Sequence, residues 1–180
     1  MSQPLSSLEE AEIQVVMAAQ DILDHTGLTM NFSIVPSNTP NAMAFMGENG
    51  ARLLMYNPRF INNIHDRLDP YWGIISILAH EIGHHLQGHI FENDPYIYHR
   101  ELEADEFSGF ALYRMGATLA EAQFAMRKLA VDLDLPTHPN RDTRLAAIAR
   151  GWFKAQEITA HEALIAKRRD AAGKPDRQRP

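Results

Sequence analysis

The five residues His80-Glu81-Ile82-Gly83-His84 constrain this chain more than any other stretch. They fall inside a run, from Pro70 to about Ile90, that reads as one helix. Asp69-Pro70 offers an N-cap and a first-turn residue. Ile74, Ile75, Leu78, Ile82 and Leu86 supply its apolar positions at helical spacing. On a helix, residues i and i+4 differ by roughly 40° around the axis and lie one turn apart. Both imidazoles therefore reach one cation. Glu81 is turned about 100° from His80, so it flanks such a cation and can take a proton from water there. Two imidazoles and a carboxylate on an otherwise apolar helix are costly to desolvate unless something compensates. The pattern thus reads as two metal ligands with a general base between them.

A catalytic zinc site takes three protein ligands and keeps one position open. The 180 residues include no Cys and nine His, so the third ligand is a His or a carboxylate. The pattern with a third His ten residues after the first is excluded, because position 90 is Ile and the required Gly position, 87, is Gln. His85 and His89 are expected on the same helix but off the His80–His84 face, as surface or half-buried side chains. The next predicted helix, near His99 to Met115, carries Glu101-Leu102-Glu103-Ala104-Asp105. Glu101 and Asp105 are four apart and share a face. Glu101 can bind the metal while Asp105 reaches the outer nitrogen of a ligand His and fixes its tautomer. Glu103 lies roughly 200° around the helix from Glu101 and is expected to face solvent.

The surrounding chain reads as α+β. A helix is expected from a Ser7/Glu10 capping box, with Leu8, Val15, Val16, Ile22 and Leu23 as its apolar stripe and Gly27 as its stop. Residues 28–35 read as a strand. Asn41–Met46 and Ala51–Tyr56 read as a hairpin around Gly47-Glu48-Asn49-Gly50. Thr118 with Glu121 caps another helix, residues 135–140 form a loop, and Arg144 onward is helical. The expected fold is a mainly helical domain with a small N-terminal sheet, whose edge strand flanks the metal helix. One domain spans 1–165, followed by a basic, unstructured tail, 166–180.

The formal net charge is −6, which argues against a nucleic-acid partner. Lys167 to Pro180 carries +4, leaving −10 on the rest of the chain. The apolar stretch Gly73–Ala79 is far short of the roughly 20 residues of a membrane span. The first residues show no basic and apolar leader pattern. The expectation is a cytoplasmic chain, or a periplasmic one if an upstream signal has been removed.

Three segments occur in a meaningful order: H-E-I-G-H, then E-L-E-A-D-E-F, then T-H-P-N-R-D-T-R at Thr137–Arg144. Across roughly Asn41 to Ile148 they resemble the M48 family of zinc metallopeptidases. The resemblance implies a zincin-like domain of the gluzincin type with one Zn²⁺ held by His80, His84 and Glu101. It implies that Asp105 supports the first ligand His. His138 would sit near the metal, stabilising an oxyanion or occupying the open position as a switch. Arg144 would fix its loop or touch substrate. Asn41-Ala42-Met43-Ala44-Phe45 is similar to the family's strand that pairs with extended peptide, although a plain hairpin accounts for it equally well. The implied activity is hydrolysis of peptide or unfolded-protein substrates with Glu81 as general base, and His138 as the second catalytic side chain. Two other readings remain: a zinc-binding scaffold or partner-binding module with an occluded site, and a regulatory protease that cleaves transcriptional repressors. The T-H-P segment and the absence of a fused helix-turn-helix argue against the latter.

Overall fold

The computed structural model describes residues 6–64, 70–91, 97–130, 132–133 and 138–172. The first helix, α1 (Ser7–Thr26), opens on a capping box shifted by one residue from the expected pair. Ser6 Oγ accepts from the Glu9 N–H, and the Glu9 carboxylate accepts from the Ser6 N–H at 2.8 Å. Its buried stripe is Ala11, Val15, Ala18, Ala19, Ile22 and Leu23, whereas Leu8 and Val16 are 61% and 42% exposed. The expected stripe missed the alanines. Their small side chains carry little hydrophobic signal, yet they are buried in the core.

Three strands follow: β1 (Ser33–Pro36), β2 (Ala42–Met46) and β3 (Arg52–Tyr56), in the order β1-β3-β2. The hairpin forms as expected, with Ala44 opposite Leu54. The strand expected over 28–35 shrinks to β1, which runs parallel to β3. That makes β2 an edge strand. The Asn41 carbonyl accepts from the Asn57 N–H, and the Gly47 N–H donates to the Ala51 carbonyl, each at 2.7 Å. Main-chain polar groups alternate direction along a strand. The groups at positions 41 and 47 therefore face β3, and those of Ala42, Ala44 and Met46 face away from it.

The helical body comprises α2 (Pro58–Asn63), α3 (Pro70–Leu86), α4 (Ile97–Arg114), α5 (Leu119–Leu129) and α6 (Arg141–Ala172). The Thr118/Glu121 capping box opens α5 as expected. The helix α3 stops at Leu86, short of the expected Ile90, because Gly88 takes a left-handed conformation with φ +76° and a 3₁₀ turn, His89–Phe91, follows. Glycine enters that region without the Cβ penalty of other residues and commonly terminates helices this way. At the chain's other end, α6 continues to Ala172, so residues 166–172 of the expected tail are helical instead. Asp69, residues 135–137 of the expected loop and 173–180 of the tail lie outside the described residues.

Leu78, Ile75, Leu54, Tyr56, Ile22 and Leu112 are at most 2% exposed and tie α1, α3, α4 and the sheet into one core. The helices α4 and α6 run side by side in one-turn steps. Asp105 meets Arg144, Gly109 meets Ile148, and the Tyr113 ring meets Trp152 with centroids 4.9 Å apart. Among the described residues no helix is long and apolar enough to cross a membrane.

Candidate metal centre

The two imidazoles of α3 converge as their i, i+4 spacing demands. His80 Nε2 and His84 Nε2 are 3.0 Å apart, with Glu101 Oε2 at 3.5 Å from the first and Glu101 Oε1 at 3.4 Å from the second. Four ligands set tetrahedrally around zinc at about 2.0–2.1 Å stand about 3.3 Å from one another. The observed separations are of that size, with a different Glu101 oxygen facing each imidazole. The donor set, two nitrogens and one carboxylate oxygen, also suits a divalent metal, and these three residues are the group among the described residues that could hold one. Glu101 reaches them because α4 lies tight on α3: a Cβ at Gly83 would stand 3.0 Å from Ala104 Cα.

The outer face of His80 is equally ordered. Its Nδ1 lies 2.9 Å from Asp105 Oδ1. With a cation bound, a carboxylate there that accepts Nδ1–H would leave the Nε2 lone pair for the metal. Asp105 is fully buried and is held in turn by Arg144, whose Nε donates to Oδ2 at 2.7 Å and whose Nη2 donates to Oδ1 at 2.9 Å. Burial alone would raise the Asp105 carboxyl, but His80 and the Arg144 fork outweigh it and hold it below its usual range. For His80, burial pulls down, yet the adjacent Asp105 and Glu101 carboxylates push it up to about 10. Burial likewise opposes ionisation of Glu101, and its two His partners overcome it, so this carboxylate is charged and acceptor-only.

Arg144 is committed to the interior of this centre. It is 9% exposed, spends its fork on Asp105, and extends Nη2 to within 3.4 Å of Glu101 Oε2. It anchors the N-terminal turn of α6 to the centre, where Asn140 Oδ1 accepts from the Thr143 N–H at 3.0 Å. Arg144→Lys keeps the charge and loses the bidentate geometry. It is expected to cost about 1–3 kcal/mol of stability and to weaken metal binding, read by urea denaturation and chelator competition.

Glu81 stands beside the triangle, outside it. Its Oε2 accepts from the outward N–H of Ala44 on β2 at 2.7 Å. Burial pushes its carboxyl up, and the neighbouring His80 and His84 only partly counter this. The edge strand thus does flank the metal helix, and one of its main-chain donors orients the acidic side chain. Ala42 lies on the same edge, whereas the Asn41 carbonyl is already committed to Asn57. His138, 49% exposed in its side chain, places Nδ1 3.0 Å from Glu101 Oε2. His80, Glu81, His84, Glu101, His138 and Ala44 line a cleft of about 550 Å³ between β2, α3, α4 and the end of α5.

Two of the remaining histidines do not sit where the helical projection put them. His85 is buried, stacked on Phe32 with centroids 5.0 Å apart, and its Nε2–H donates to the Leu53 carbonyl at 2.9 Å. Burial is the main reason its imidazole is pushed down to about 4. It stays neutral and ties α3 to the central strand. His89 leaves the helix at Gly88 and returns beneath His84, Nδ1 to Nδ1 at 2.9 Å. Its Nε2 meets Glu103 Oε2 at 2.8 Å, and the other Glu103 oxygen meets His99 at 3.0 Å. Glu103, expected to face solvent, is a half-buried partner of this cluster. The signal for His89 was present in the sequence as Gly88, a helix stop placed one residue ahead of it.

Compared with known proteins, the chain matches no family model, no curated protein and no solved structure.

Proposed function

We propose that the chain is a zinc-dependent endopeptidase of the M48 type that hydrolyses peptide bonds in extended or unfolded polypeptide. The reading is carried by the position of Glu81, adjacent to the His80–His84–Glu101 donor triangle yet not part of it, and oriented by the Ala44 N–H of an edge strand. A zinc ion held by those three residues supplies Lewis acidity, lowering the pKa of water from about 15.7 to about 7 and polarising a carbonyl. Glu81 accepts the proton of the attacking water and later delivers it to the leaving amine. The Ala44 N–H holds one carboxylate oxygen, which fixes the orientation while the other oxygen takes the proton. The outward edge of β2 is where an extended peptide would pair.

In this mechanism Asp105 and Arg144 keep the His80 lone pair directed inward. A neutral His138 spends its Nδ1–H on Glu101, so it can donate to a developing oxyanion only as the imidazolium or after turning away.

The test is hydrolysis of denatured casein by metal-analysed protein. The expected result is about one zinc per chain, with proteolysis abolished by a chelator and restored by added zinc. Proteolysis that is indifferent to chelation, or protein that takes up no metal, defeats the proposal. Stoichiometric zinc with no proteolysis points instead to a metal-bearing scaffold.

A further inference from the structure

The outer nitrogen of His80 is served by a carboxylate, the usual arrangement for a ligand histidine. The outer nitrogen of His84 is not. It faces a second imidazole, and the direction of every proton between them follows from elementary hydrogen-bond accounting. This step rests on the proposed metal site. If His84 offers Nε2 to a cation, its single proton is on Nδ1. That Nδ1 is 2.9 Å from His89 Nδ1, which must then be the acceptor. The proton of His89 is thereby assigned to Nε2, which is 2.8 Å from Glu103 Oε2, a carboxylate that can only accept. Each donor meets one acceptor, and no alternative tautomer satisfies all three residues.

We propose that His84, His89 and Glu103 form a carboxylate–imidazole–imidazole chain that fixes the tautomer and ring orientation of the second metal ligand, with His89 as its positioning residue. His89 lies across the His84 ring from the metal position, so it acts through the ligand and is not itself one.

The local fold is built around this contact. The left-handed turn at Gly88 removes His89 from the helix path, and the 3₁₀ turn His89–Phe91 brings it back under α3. The His89 side chain is 8% exposed. Its carbonyl accepts from Arg100 Nη1 at 3.3 Å, which ties the same turn to α4. The preceding turn is braced by Arg52, whose guanidinium donates to the His85 carbonyl and stands 5.6 Å over the Phe91 ring. Glu103 is two residues from Glu101, so α4 presents a ligand to the cation and an orienting carboxylate to the opposite side of the cluster.

The chain is tested on the full-length zinc-loaded protein by chelator competition and by ¹⁵N-detected histidine NMR. The NMR is expected to show His84 protonated on Nδ1 and His89 on Nε2. His89→Leu is expected to weaken zinc binding by about 10–100-fold. His89→Gln, which keeps an acceptor and a donor, should recover part of that loss. Glu103→Ala, at a half-exposed position that leaves the fold intact, should weaken binding in the same direction. Its loss should not add to that of His89→Leu in the double variant. In the cobalt-substituted protein the d–d spectrum should change in His89→Leu and return towards wild type in His89→Gln.

Two results overturn the inference. One is His89 found protonated on Nδ1. The other is unchanged zinc affinity in both His89→Leu and Glu103→Ala. If wild-type protein binds no metal, the site reading falls and takes this inference with it. If wild type binds metal and the variants match it, the inference alone falls.

Discussion

Glu81→Gln is expected to lose roughly 10²–10⁴-fold in turnover, the range for removing a positioned general base, while zinc stoichiometry stays at the wild-type value. The substitution is close to isosteric. An amide oxygen at the same place can still accept from the Ala44 N–H, so the contact between α3 and β2 survives. What disappears is the capacity to take a proton. The donor triangle is untouched, because Glu81 contributes no atom to it. Casein hydrolysis and zinc content measured on one preparation separate the two effects. Loss of zinc together with turnover would mean that Glu81 holds the site together and does not act as a base. Full activity would sink the mechanism outright. Glu81→Asp offers a graded control: the carboxylate remains but is withdrawn by one methylene, and an intermediate rate is expected.

The parts of the site legible in the sequence are those fixed by short-range helical geometry. His80 and His84 are one turn apart on α3, Glu101 and Asp105 one turn apart on α4, and neither pairing needs knowledge of the tertiary fold. The role of Arg144 depends on how α6 lies against α4, a contact across 39 positions that no local pattern encodes. His85 was legible and passed over. Ile75, Leu78, Ile82 and His85 fall on one stripe, and in the structure all four are buried while Leu86, the apolar neighbour, is 48% exposed. Treating His as polar by type hid a position that its spacing marked as core. His89 was missed for a different reason. Extending α3 to Ile90 put its ring on the wrong side, and a single left-handed residue, Gly88, reverses that outcome. The α+β class survived such errors because the hairpin and the capped helices each rest on several agreeing signals.

The register that carries Arg144 to Asp105 depends on the absence of two side chains. A Cβ at Gly109 would stand 1.9 Å from the Ile148 carbonyl oxygen, and one at Gly151 would stand 1.7 Å from the Glu106 carbonyl oxygen. Both obstacles are backbone atoms of a regular helix, so no rotamer change relieves them. The helices α4 and α6 must move apart. Gly151→Ala is therefore expected to cost about 3 kcal/mol or more, at or above the top of the usual overpacking range of about 1–3 kcal/mol. For a chain of this size that corresponds to a Tm lowered by roughly 6–12 °C. Gly109→Ala should behave alike, since it forces open the same contact one turn away. Gln156→Ala, exposed on the same helix, serves as the control and should stay within about 0.5 kcal/mol of wild type. Separation of the helices also withdraws the Arg144 fork from Asp105. Whatever fraction of the glycine variants folds should thus bind zinc more weakly than the control does. Calorimetry and chelator competition read the two consequences independently. A Gly151→Ala protein as stable as wild type would mean that α4 and α6 do not approach this closely, and the link from helix packing to the ordering of His80 would be broken.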